Sequence, residues 1–137
     1  WTKYAYADYI TPNLKEINQV LAEPVHNEDR AVEVAAHYVM NRFNIRNVIV
    51  TRSEEGLSLI RDDENVHIPT KAQEVFDVSG AGDTVIAVFA MGLAGGMSPA
   101  DSAYMANLAA SVVVAKLGTY AVSREELMAV LKGEAEK

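Results

Sequence analysis

Leu14, Ile17, Val20 and Leu21 recur at helical spacing behind Tyr9-Ile10 and the turn residues Thr11-Pro12-Asn13. The pattern predicts a short strand, a turn and a first helix, with Asn13 at the junction. A second helix is predicted from about Glu28 to Phe43, because Val32, Ala35, Ala36, Val39, Met40 and Phe43 trace one stripe. Asn27 is its expected N-cap and Asn44 its stop. Val48-Ile49-Val50 is β-branched and apolar on both faces, as an inner strand of a parallel sheet would be. Leu57–Ile60 and Val66–Ile68 flank the polar stretch 61–65 and read as an edge hairpin closed by Pro69.

Beyond Val75-Phe76-Asp77-Val78 comes Ser79-Gly80-Ala81-Gly82-Asp83, then a stretch apolar almost all round from Thr84 to about Ala94, ended by Gly95-Gly96. That helix is expected to be central and buried. Ser98-Pro99-Ala100-Asp101 carries a cap, Pro at the first helical position and an acid in the first turn, opening a helix that stops before Gly118. Ser123-Arg124-Glu125-Glu126 is a capping box for a last helix reaching about Leu131. Strands mixed with helices in this order predict an α/β layer fold with a mainly parallel sheet and an edge hairpin. Only two or three strands are visible, few for so many helices, which implies partner strands on other sequence or another chain.

Composition narrows the function classes. The 137 residues are half hydrophobic, which is globular rather than disordered composition. Twelve basic against nineteen acidic residues leave a net charge of −7, which speaks against a nucleic-acid partner. The absence of cysteine excludes disulfides and thiolate chemistry and fits the reducing cytoplasm. The apolar stretch 85–97 is shorter than the roughly 20 residues of a spanning helix, so no membrane role is expected. Trp1-Thr2-Lys3 has neither an initiator methionine nor a signal-peptide pattern and reads as a cut edge, so the chain is expected to be a portion of a longer one.

The candidate chemistry gathers at Asp77–Asp83. Small residues between a strand and a helix let backbone N–H groups approach an anion, and the helix N-terminus adds partial positive charge there. A Walker loop would need Gly-Lys-Ser/Thr five residues after Gly80, where Val85 and Ile86 stand; a dinucleotide fingerprint would need a small residue at Val85. Asp83, just inside the helix, has the position of a general base facing a substrate hydroxyl. The plainer reading makes it a first-turn charge after a tight turn.

Asp77 to Asp83 resembles the D-T-x-G-A-G-D signature of the ribokinase (PfkB) family of sugar and nucleoside kinases, with Val78 in place of Thr. The resemblance implies a three-layer α/β/α ribokinase-like fold and ATP-dependent phosphoryl transfer to a sugar hydroxyl. It implies that the amides of Gly80, Ala81 and Gly82 form an anion hole and that Asp83 is the catalytic base. Asn13-Leu14-Lys15-Glu16 is similar to the family's N-x-x-E motif, implying that Asn13 and Glu16 help to place Mg²⁺ through water. Thr51 to Gly56 resembles the T-x-G-x-x-G phosphate-side loop, with Ser53 replacing its first glycine. Asn107 and Gly118 resemble the helix and loop that line the adenine pocket. A monovalent cation near Asp77, Ser79 and the loop after Gly118 is a further implied ligand.

Ile10 to Glu16, Val50 to Gly56 and Lys116 to Gly118 look most like the family's heptose-7-phosphate kinases of ADP-heptose synthesis. The chain then corresponds to the C-terminal nucleotide-binding and catalytic portion, residues 1–137, without the N-terminal sugar-binding and lid half. Implied partners are ATP, a sugar or sugar phosphate, and either a second copy or the N-terminal half. The alternatives are a nucleotide- or anion-binding piece with no activity alone, a kinase of another sugar or nucleoside, or a structural piece whose sheet edge pairs with another chain. His26, His37 and His67 are scattered and read as surface or edge residues rather than a zinc site. Arg52, beside Glu54 and Glu55, reads as a solvated cation with an outside prospect of touching phosphate.

Overall fold

The computed structural model describes residues 1–69 and 81–114, and the chain divides into two units, Trp1–Pro69 and Thr70–Lys137. The expected strand at Val75–Val78, the last helix from Ser123, and Asp77, Ser79, Gly80 and Gly118 lie outside the described residues.

In the first unit α1 (Leu14–Asn18) and α2 (Asp29–Phe43) pack with a sheet of β1 (Val48–Thr51), β2 (Leu57–Ile60) and β3 (Asn65–Ile68), in the order β1-β2-β3. Both pairs are antiparallel, with Val48 opposite Ile60 and Ser58 opposite His67. Parallel pairing comes from the segment before α1, which bridges to β1 at Ile10–Val48 and Asn13–Thr51. Strand β1 is therefore paired along both edges, as an inner strand is. Helix α2 ends at Asn44, whose left-handed φ of 56° tolerates an asparagine better than a branched residue. The expected first helix is shorter than its apolar spacing suggested. It ends at Asn18, and Val20 and Leu21 follow in turn conformation, still partly buried against the core.

Strand alternation sorts the sheet's side chains. Val48 and Val50 on β1 and Ile60 on β2 join Ile17, Val32, Ala36, Val39 and Met40 in one core. Ile49 and Leu59 pair on the opposite face and are equally inaccessible.

In the second unit α3 (Ala81–Ala94) packs against α4 (Pro99–Val114). Val85, Val88, Phe89 and Gly92 form its buried stripe at positions i, i+3, i+4 and i+7. A Cβ built on Gly92 would lie 2.5 Å from Ser102 Oγ and 3.2 Å from Ser102 Cα, so glycine is what lets the two helices approach. Ser98 Oγ accepts from the Asp101 amide at 3.1 Å, the cap that the Ser-Pro-x-Asp pattern predicts. The expectation that α3 is buried all round is corrected: Ile86 is 48% and Met91 69% exposed, off the stripe that is buried. Among the described residues no helix is long and apolar enough to cross a membrane.

Candidate functional site

Two sequence motifs 38 positions apart meet at the end of β1. Thr51, the last residue of β1, donates its amide to Pro12 O at 3.0 Å, and the parallel bridge sets Asn13 beside it. Asn13 caps α1 reciprocally. Its Oδ1 accepts from the Glu16 amide at 2.8 Å, and Glu16 Oε2 accepts from the Asn13 amide at 2.8 Å. Both residues are exposed, and an open cleft of about 510 Å³ lies against the same turn, lined by Trp1, Tyr4, Tyr9, Pro12, Glu16 and Gln19 among others. The donor set is oxygen only. It suits a hard cation that keeps most of its own water, since Glu16 retains a second carboxylate oxygen outside the capping pair. No group of three His, Cys, Asp or Glu able to hold a metal by itself occurs among the described residues.

Directly after β1 the chain makes a tight loop. Arg52 donates its amide to Gly56 O at 2.8 Å, and the single 3₁₀ turn Ser53–Glu55 closes with Gly56 N to Ser53 O at 3.1 Å. Gly56 sits at φ 86°, ψ −130°, a region that glycine alone adopts readily. Ser53 sits at φ 53°. The position where the resembled pattern has its first glycine has a left-handed backbone here, which the serine adopts at a cost of roughly 1–2 kcal/mol.

Arg52 corrects both sequence readings. It is 2% exposed, so it is neither a solvated cation nor a group offered to a phosphate. Positions 48, 50 and 52 share the sheet face that α2 covers, which carries the guanidinium beneath the start of that helix. There Nε donates to Asn27 Oδ1 at 2.7 Å, and one Nη donates to Asp29 Oδ1 at 2.7 Å and Ser58 Oγ at 3.0 Å. His67 bonds Ser58 Oγ through Nδ1 at 2.7 Å and Glu33 Oε1 through Nε2 at 3.2 Å. The hydrogen bond from Arg52, aided by the charges of His67 and Arg52 and opposed by partial burial, holds the Asp29 carboxyl below the ordinary aspartate range.

The same network moves the cap of α2. Glu28, not Asn27, is the N-cap and its side chain makes no capping bond, because the Asn27 carboxamide is spent on Arg52. His67 is an edge-strand residue as expected, yet tied into this cluster. Asp29, Glu33 and His37 recur every fourth residue on α2 and reach Arg52, His67 and Asn65 in turn. That polar row, read with the alternation at 48, 50 and 52, is the signal that would have found the cluster.

In the second unit Ala81, Gly82 and Asp83 form the first turn of α3, where backbone amides lack intrahelical partners. Asp83 is exposed, and a Cβ on Gly82 would meet nothing within 4 Å. Asn107 is 5% exposed, on α4.

A model of the pfkB carbohydrate kinases matches residues 2–126. The chain belongs to the pfkB family. Among curated pfkB relatives, the bifunctional protein HldE of Trichlorobacter lovleyi is 47% identical over 135 residues, 98% of this chain and 27% of that protein. HldE of Mesorhizobium japonicum is 47% identical over 131 residues, 96% of this chain and 26% of that protein. The chain thus spans about a quarter of the length of these relatives. Ribokinase from Thermotoga maritima has a TM-score of 0.80 at 33% identity, over 91% of this chain and 42% of that one. Ribokinase from Arabidopsis thaliana, solved with ribose and ATP, has a TM-score of 0.82 at 26% identity, over 91% and 41%. These neighbours give the pfkB chain a ribokinase-like α/β fold, of which its helices and small sheet form part.

Proposed function

We propose that the protein carrying this chain transfers the γ-phosphoryl group of ATP to a sugar hydroxyl, with a heptose phosphate as acceptor. The acceptor oxygen bonds to the γ-phosphorus, its proton passes to the Asp83 carboxylate, and the bond to the bridging oxygen breaks to leave ADP. The amides of Gly80, Ala81 and Gly82 take up charge on the transferred group, which phosphoryl transfer needs more than covalent assistance. Thr51, Ser53 and Gly56 contact the nucleotide's phosphate side, and Asn107 and Gly118 border the adenine. Asn13 and Glu16 would hold Mg²⁺ through its water shell; bound, the ion neutralises phosphate charge. The relatives named HldE and the ribokinase solved with ribose and ATP support the class of acceptor and donor. A monovalent cation near Asp77 and Ser79, a cytoplasmic location and a homo-oligomer complete the reading.

The observation that carries it is Asp83 standing exposed in the first turn of α3, directly after a glycine with open space in front. Asp83→Asn is expected to lower turnover by about 10²–10⁴-fold while ATP affinity is kept. Turnover near the parent level would remove Asp83 from the chemistry. A second reading, a nucleotide-binding portion without turnover of its own, is supported by the quarter-length coverage of the relatives. Calorimetry with Mg·ATP beside a phosphoryl-transfer assay on the 137-residue chain separates the two, since binding without transfer favours the second.

A further inference from the structure

The loop from Thr51 to Gly56 carries two left-handed backbones, at Ser53 and Gly56, within four residues. A short turn strained in this way holds one shape only where its surroundings over-determine it. Among the described residues Asn27 grips it from outside at two points. The Asn27 Oδ1 accepts from Arg52 Nε at 2.7 Å, and its Nδ2 donates to Arg52 O at 3.1 Å. One carboxamide therefore grips the same residue at both side chain and main chain. The gripped carbonyl also accepts from the Glu55 amide at 3.0 Å, and the Arg52 amide donates to Gly56 O at 2.8 Å. Asp29 and Ser58 secure the far end of the guanidinium, with His67 and Glu33 behind them.

We propose that Asn27 and Arg52 form a clasp that pre-shapes the Ser53–Gly56 turn for nucleotide phosphates, as positioning residues that touch no ligand themselves. The proposal rests on the reading of Thr51–Gly56 as the phosphate-side loop. Arg52 is sealed from solvent, and its guanidinium holds Asn27, whose Nδ2 in turn holds the Arg52 carbonyl, so it acts on the turn through that side chain and not by direct contact with an anion. Pre-shaping matters because apparent affinity falls by the fraction of molecules in the competent conformer.

Asn27→Asp tests the clasp selectively. It keeps an acceptor for Arg52 Nε but replaces the donor to Arg52 O by a second oxygen, which repels that carbonyl. Hydrogen exchange at the bonded amides of the turn, those of Arg52, Glu55 and Gly56, is measured on the full chain without nucleotide. Titrations with Mg·ATP and with adenosine, which has no phosphates, follow. In the variant the turn amides are expected to exchange about tenfold faster and Mg·ATP affinity to fall by about tenfold, the competent conformer dropping to about a tenth. Adenosine affinity stays at the parent value, which a general loss of structure would not allow. Arg52→Lys keeps the charge without the planar fork and is expected to fall between parent and Asn27→Asp in both readouts. Turn amides that exchange as slowly in Asn27→Asp as in the parent overturn the clasp. Faster exchange with ATP affinity unmoved, or with ATP and adenosine weakened alike, overturns its role toward phosphates. A parent chain whose turn amides respond as expected but which binds no Mg·ATP overturns the nucleotide reading instead.

Discussion

The two units are held together by different physics. In the first, directional polar contacts fix the chain around β1: a reciprocal cap at Asn13 and Glu16, and a buried arginine bonded to Asn27, Asp29 and Ser58. In the second, α3 and α4 meet through small residues, Gly92 against Ser102, with Ala103, Ala106 and Ala109 inaccessible along α4. A polar clamp fails when one donor or acceptor is altered and tolerates small changes of volume. A close helix contact fails when one methyl is added.

The sharpest way to break this contrast is Gly92→Ala. The added methyl must displace Ser102 backbone as well as its hydroxyl, and the expected loss is about 1–3 kcal/mol even though alanine favours helix more than glycine does. Thermal or denaturant unfolding measures it, and an unchanged midpoint would show that the helices do not depend on that approach. Ser102→Ala points the other way. The Ser102 Oγ is buried without a hydrogen-bond partner among the described residues, so its removal is expected to stabilise by about 1 kcal/mol. Combined with Gly92→Ala it should recover part of the loss, a non-additivity that a double-mutant cycle detects.

The first unit is expected to respond to geometry and charge instead. Ser53→Gly relieves roughly 1–2 kcal/mol of left-handed strain, less about 0.5–1 kcal/mol for the freer unfolded chain, a net gain of about 0–1.5 kcal/mol by denaturant titration. The smallest effect is expected at Asp29. Its folded carboxyl ionises more readily than the unfolded one, so its contribution is fully present above the ordinary aspartate value and is lost as pH falls through the lowered one. The difference in thermal midpoint between parent and Asp29→Asn should close below about pH 4. With that side chain 65% exposed, added salt should shrink it at neutral pH.

The local elements were legible because short-range rules govern them. The stripe on α2, the left-handed stop at Asn44, the hairpin around 61–65 and the Ser98 cap each depend on residues within a turn or two of one another. What escaped were choices settled by distant partners. Asn27 has the chemistry of a helix cap, yet a guanidinium 25 positions away competes for its carboxamide and wins. Arg52 beside two glutamates reads as solvated until strand parity and the polar row of α2 are considered together. The apolarity of α3 fixes that it can be covered, not which stripe α4 covers. At the site, the neighbourhood of Asn13 and Thr51 needed the parallel bridge, which no spacing along the chain encodes.

Helix α1 has five residues, with paired bonds between Asn13 and Glu16 at its head and the Asn18 carboxamide bonded to Val25 at its tail. Any ligand that draws off Glu16 Oε2 takes it from the main-chain nitrogen of Asn13, the same residue that bridges to Thr51. One residue, Asn13, thus both heads the helix and closes the parallel pairing of β1.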